Sequence, residues 1–331
     1  MTTITIQLYQ PLAKCYLYLC LSICGIGIIA SSNAQQQQSF SQYHLNDLVF
    51  NPATAGTKGY TSVQTAYRKQ WTSIEGAPTT FMAYVQSPLT IKAGHIGLGA
   101  MLFHDEAAAI RRNGMALTYA QHFNINDGTA FSLGITGNAE QYSFNMDVIR
   151  KSLDAGDPLL NAPAASKMAF DAGFSAYVYN ERWSVGLYAD NLLESRIDFY
   201  NNSKAKLFRH FYGMAQMEFE LDEDRNFTVL PAVLIKATAV APIQIDFNVN
   251  LIHQDNKWIG LHYRNNQTHQ LSANIGLLIK DKLVLGYAYD FAPPMQNKFN
   301  YGYNNAQEIT IGYRIYKEDN PELKNTRCPI F

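Results

Sequence analysis

From Tyr60 to Tyr316 the chain repeats one pattern that leaves few folds open to it: apolar and polar residues alternate in short runs joined by turns. In the clearest run, Ile243, Ile245, Phe247, Val249 and Leu251 alternate with Gln244, Asp246, Asn248 and Asn250. A period of two places successive side chains on opposite faces of a strand, so one face is apolar and the other carries amides and a carboxylate. Leu271 to Ile279 and Ile309 to Ile315 repeat the pattern. Fourteen such runs follow one another: 60–69, 79–88, 94–103, 114–123, 129–144, 168–180, 182–191, 207–220, 226–236, 242–252, 257–264, 270–280, 282–291 and 307–316. Most approach the roughly 9–11 residues that a tilted membrane-crossing strand needs.

The connections narrow the choice further. Every second one is short: Leu89 to Ala93, Asn124 to Gly128, Asn180-Glu181, Leu221 to Arg225, His253 to Asn256, and Lys280 to Lys282. The others include Gln70 to Pro78, His104 to Asn113, Asn145 to Lys167, Leu192 to Lys206 and Ala292 to Ala306; Ala237 to Ala241 and Asn265 to His269 are the brief members of that set. Outer-membrane barrels combine short periplasmic turns with longer outer loops. A soluble sandwich has no reason to sort its loops by parity, and an even strand number leaves both termini at the periplasmic rim. The expected fold is all-β: a transmembrane outer-membrane β-barrel of about 14 antiparallel strands at 60–316, preceded by an irregular lead-in at 35–59.

Composition agrees. Charged residues make up 16% of the chain, against roughly 25% in a typical soluble domain. Trp183, Trp258, Tyr287, Tyr289, Tyr313 and Tyr316 lie near run ends, where aromatic girdles form. A net charge of −1 gives no electrostatic case for nucleic acid.

Before the barrel, Lys14, the apolar stretch Cys15 to Ala30 and the small-x-small site Ser32-Asn33-Ala34 read as an export signal over 1–34, cut before Gln35. Three of the four cysteines lie inside it, so the exported chain keeps only Cys328 and has neither an intrachain disulfide nor a cysteine metal site. The lead-in has no clean period. Its Asn51-Pro52 and Ala55-Gly56 are turn chemistry, with Phe40, Tyr43 and Phe50 as anchors, and it reads as a plug or a periplasmic contact. Residues 317–331 read as a periplasmic tail.

Little in the sequence carries chemistry. His104-Asp105-Glu106 with Arg111 and Arg112 falls in an expected outer loop, at spacings that match no usual metal-ligand set. His210 and His262 have no nucleophile patterned beside them. No phosphate loop, dinucleotide fingerprint or calcium loop occurs. The expectation is a non-enzymatic protein with no catalytic residue, metal or cofactor. Asp246, Glu218, Glu308, Arg314 and Arg264 face inward, either lining a channel or pairing with one another in a packed lumen.

The chain resembles the PorP/SprF family of outer-membrane proteins of the Bacteroidetes type IX secretion system. The residues that carry the resemblance are Phe40-Ser41-Gln42-Tyr43; Asn51-Pro52-Ala53 with Ala55-Gly56; Tyr67-Arg68-x-Gln70-Trp71; and Gly76-Ala77-Pro78 with Thr80. Trp258-Ile259-Gly260-x-x-Tyr263-Arg264, Gly286-Tyr287-x-Tyr289-Asp290 and Gln307-Glu308-Ile309 extend it over the exported chain. Thr54, where the family pattern has an aromatic, and Gln307, where it has His, are departures. The resemblance implies an accessory barrel for secretion and surface attachment of a large protein with a C-terminal sorting domain, such as a gliding adhesin. Its implied partners are that secreted protein, the machinery's periplasmic ring or translocon, and the lipid bilayer. Phe40, Tyr43, Asn51, Pro52, Arg68 and Trp71 are the partner-binding residues expected from these motifs. The alternative is an outer-membrane channel or small-molecule transporter built on the same barrel.

Overall fold

The computed structural model describes residues 39–316 except 73–75, 92–93, 127, 152–165, 198, 200–204, 223–225, 266–268 and 292–304. The export-signal and tail expectations, Cys328, and most of the 145–167 and 292–306 loops lie outside the described residues. Fourteen antiparallel strands close into a barrel. They are β1 Thr61–Gln70, β2 Thr79–Ile91, β3 Gly94–Ala107, β4 Ile110–Asn126, β5 Thr129–Phe144, β6 Ser166–Asn180 and β7 Trp183–Asp190, then β8 His210–Met217 with its continuation Phe219–Glu220. β9 Phe227–Thr238, β10 Ala241–His253, β11 Lys257–Asn265, β12 Gln270–Ile279, β13 Leu283–Phe291 and β14 Ala306–Ile315 complete it. The two pieces of β8 share one register on β9, Gln216 facing Ala232 and Phe219 facing Val229, so Glu218 interrupts a single strand. Closure is made by β14 on β1, from Thr61 opposite Ile315 to Gln70 opposite Ala306. Every strand has a neighbour on each side, so no sheet edge runs along the wall; this is how a β structure satisfies its backbone in lipid. Among the described residues no helix is long and apolar enough to cross a membrane.

The alternation sorts the two faces as the sequence indicates. Phe247, Val249 and Leu251 are exposed on the outer surface, while Asp246, Asn248 and Asn250 are buried in the lumen. Strand lengths are uneven: β4, β5 and β6 have 17, 16 and 15 residues, β11 and β13 nine each. The long strands carry about five more residues than a crossing needs.

Two expectations are corrected here. His104 to Asn113 is not a loop: β3 and β4 run through it to a tight turn at Ala108-Ala109, pairing His104 with Asn113 and Glu106 with Arg111. Arg111 donates to Glu106 at 3.0 Å, so the polar residues that mimic a loop are a paired extension of the wall. Trp258 is not a girdle residue either. It faces inward, buried with Leu45, Leu230, Ile252 and Val284, whereas Tyr287, Tyr313 and Tyr316 are exposed outside.

Candidate functional site

The lumen is filled by the chain's own lead-in. Residues 40–59 pass from the rim carrying the long connections to the opposite rim, where they join β1. On the way Asp47–Phe50 forms one turn of helix (α1) and Pro52–Thr54 a 3-10 turn. Asn51 sets the second turn by accepting from the Ala53 amide at 3.0 Å, with Pro52 at the first helical position, where its missing N–H leaves no donor stranded. Phe40, Tyr43, Leu45, Leu48, Phe50, Ala53 and Ala55 are all buried, and so are the polar residues between them. A short irregular segment this dry must have its polar groups met by the wall.

The wall meets them in two zones. Near the long-connection rim, Glu308 accepts from the Ser41 amide at 2.7 Å and from the Gln42 amide at 3.0 Å. Arg68 donates to the Ser41 hydroxyl and to Glu308, at 3.0 and 3.2 Å, and pairs with Asp290. Arg264 donates to the Phe40 carbonyl at 3.1 Å and to Asp246 at 3.2 Å; Lys236 lies 3.6 Å from Asp246. Three cations and three carboxylates thus alternate around Phe40 to Gln42, and their balance is what makes a buried charged cluster tolerable. The side-chain amide of Gln64 then donates to the Leu45 carbonyl at 2.7 Å, and the Tyr84 hydroxyl to the same carbonyl at 2.9 Å. In the other half, Asn51 donates to the Ala176 carbonyl at 3.2 Å, Ser132 to the Ala53 carbonyl at 2.7 Å, and a ring nitrogen of His122 lies 2.8 Å from the Ala55 carbonyl.

Glycines make room for this contact. A Cβ on Gly97 would stand 1.8 Å from the Ala55 carbonyl oxygen, and one on Gly186 2.2 Å from the Asn51 amide nitrogen. Both are inward positions: the lead-in backbone rests where a side chain at 97 would be, and the Asn51 side chain where one at 186 would be. We expect Gly97→Ala to cost about 1–3 kcal/mol through overpacking, read as a lower midpoint of heat- or urea-induced unfolding in detergent. A midpoint equal to the parent's would mean that the lead-in does not sit against β3.

Of the six residues expected to meet a partner, Phe40, Tyr43, Asn51, Pro52 and Arg68 lie together inside the barrel, and Trp71 stands half-exposed at the end of β1 with a left-handed φ of 47°. Asp246, Arg264 and Glu308 pair within a packed lumen, which decides between the two arrangements left open for the inward charges. Glu218 is buried as well, and Arg314 lies over the Tyr60 ring at 5.0 Å. Gln64, Ser132, Gly97 and Gly186 escaped the sequence reading, and Asp290 entered it only as a motif residue without a role. The signal available for them was parity, since each occupies an inward position of its strand.

His210 and His262 are buried; His262 lies 3.9 Å from Asp246, and its Nδ1 lies 3.4 Å from the Ser272 hydroxyl, all of them in the packed lumen. Among the described residues no group of three or more His, Cys, Asp or Glu side chains is placed to hold a metal ion. At the long-connection rim, the 191–209 connection is tied down by the Asp171 carboxylate, which accepts from the Leu193 and Ser195 amides at 2.9 and 3.0 Å, and by Ile197 and Leu207, buried with Tyr142 and Ala169. The hydrogen bond from Lys206 holds the Glu194 carboxyl there below the ordinary range.

The model of a family described as type IX secretion system membrane protein PorP/SprF matches residues 32–313. No curated protein sequence matches the chain. Among solved structures, the chain is similar to the TodX deltaS2S3 mutant, a monoaromatic hydrocarbon channel, with 7% identity, 82% of this chain and 94% of that one covered, and a TM-score of 0.50. It is similar also to the CymD monoaromatic hydrocarbon channel (10% identity, 89% and 97% covered, TM-score 0.47) and to the Ralstonia pickettii toluene transporter TbuX (8%, 81% and 92%, 0.47). At 7% identity the likeness to the TodX mutant is one of fold alone.

Proposed function

From the premise that this chain belongs to the PorP/SprF family of type IX secretion system membrane proteins, we propose that it is a plugged, non-enzymatic outer-membrane barrel. In this reading it holds a large secreted protein with a C-terminal sorting domain at the cell surface, in association with the secretion machinery. The observation that carries the reading is the lumen. An open pore needs a continuous polar path, and here the path is occupied by a segment whose residues 40–47 are all buried. The elevated wall of β3 to β6 and the 191–209 connection supply the outer contact surface. The lead-in residues Phe40, Tyr43, Asn51 and Pro52, with Arg68, act by fixing the plug, and Trp71 is the exposed member of the set.

Capture of the tagged protein from gently solubilised outer membranes, with mass spectrometry of what accompanies it, tests the proposal. The expected companions are a sorting-domain protein or periplasmic ring components. A barrel recovered alone, or only with solute-uptake lipoproteins, moves the reading to the transporter.

A further inference from the structure

One concave site on the barrel is not used by the plug, and it abuts the 191–209 connection. It lies on the outward face, where strands β4, β5 and β6 run side by side, and is an open groove of about 630 Å³. Gly137 and Ala172 form the floor, Leu117, Ile135 and Phe174 the walls, and Leu192 the roof. The register puts the floor and one wall in line: Leu117 faces Gly137 across one ladder, and Gly137 faces Ala172 across the next. Leu192 is fixed above them by its amide, which donates to the Ala172 carbonyl at 2.9 Å.

Gly137 is the informative residue. A glycine inside a strand weakens it and needs a reason, usually a bulge or a close backbone approach. Neither is present. Its ladders with β4 and β6 are regular across this position, its φ is not in the left-handed region, and a Cβ built on it meets nothing within 4 Å. Gly97 and Gly186, by contrast, are required by the plug. The space above Gly137 is therefore kept free of this protein's own atoms.

The surrounding phase on that face is hydrocarbon, and the groove runs up to a cationic edge. The Arg209 guanidinium donates through Nε to the Leu192 carbonyl at 3.2 Å and is half-exposed; Lys206 lies nearby, 3.0 Å from Glu194. Among the described side chains, Arg209 and Lys206 share the Glu194 carboxylate, so two cations stand beside the roof of an apolar slot. We propose that this groove is a lipid site: it takes one hydrocarbon chain of an outer-leaflet lipid between Leu117 and Phe174, with the lipid's phosphate on Arg209 and Lys206. The inference is independent of which secreted protein the barrel serves.

The test is lipid retention by the full-length protein purified in mild detergent, read by native mass spectrometry and by phosphate per protein after extraction. A phosphate-bearing lipid is expected on the parent. Gly137→Leu, whose Cβ has open space and whose branch projects into the slot, should lower occupancy about tenfold, the loss expected when contact worth about two methylenes is displaced. Gly137→Ala should act in the same direction more weakly, and it keeps the test decisive if leucine blocks insertion. Arg209→Gln combined with Lys206→Gln should lower the phosphate-bearing lipid while leaving uncharged lipid bound. Equal occupancy in parent and Gly137 variants of unchanged heat-modifiable mobility would overturn the proposal. So would a photo-reactive residue at position 117 that crosslinks to a polypeptide and not to lipid.

Discussion

A barrel from which Phe40 to Gly56 has been deleted should conduct ions. Eight-stranded barrels are filled by their own inward side chains, and those of sixteen to eighteen strands leave an aqueous channel. A fourteen-stranded wall lies near the open end of that range, and here the difference is made up by the lead-in. The deletion removes none of the ladder hydrogen bonds, since every wall strand keeps both neighbours, so the shortened protein should still insert. It should unfold at lower temperature, because Phe40, Tyr43, Leu45, Leu48 and Phe50 lose burial that stabilises by about 1.5–3 kcal/mol for a large apolar side chain. Planar-bilayer recordings of parent and deletion protein give the comparison. Background conductance in both would show that the wall collapses or that the charged ring seals the pore unaided. Loss of partner capture by the same inserted variant would tie the plug to the secretion role, and loss of insertion would make the segment a folding element instead.

The second large effect concerns Arg68. Its guanidinium touches Asp290, Glu308 and the Ser41 hydroxyl, all buried. Arg68→Ala strands two carboxylates in a dry lumen, and removing one partner of a buried ionic cluster costs about 3–5 kcal/mol. Arg68→Lys should recover part of this and not all, because an ammonium lacks the planar fork that reaches three partners at once. Combining Arg68→Ala with Asp290→Asn and Glu308→Gln should recover more than half of the loss, by removing the stranded charge. Urea midpoints of all four proteins in one detergent read the series. If Arg68→Ala leaves the midpoint where it was, the cluster is not what holds Phe40 to Gln42.

Much of the wall was legible because a strand's two faces impose a period that survives in the sequence. Ile243 to Leu251 declared both the lipid side and the lumenal side, and the parity of connection lengths declared the topology. The reading broke down where that signal fails. Arg111, Arg112 and Asn113 are polar on both faces, since the wall there is paired strand with polar residues outside as well as inside, and so β4 starts four residues before its expected beginning. Trp258 carries the girdle's residue type but occupies an inward position, where Leu45 of the lead-in needs a large neighbour.

The sequence by itself determined the strand number, the outward and inward faces and the family, because each is written in local spacing and ordered short motifs. Only the tertiary structure decided what fills the barrel. Phe40 to Gly59 has no period, so its conformation comes from partners as far away as Glu308, 267 positions from Ser41. The free slot over Gly137 was likewise decided by which strands lie side by side. Contacts between residues so distant in the chain leave no spacing to read, and they exist only once the wall has closed around them.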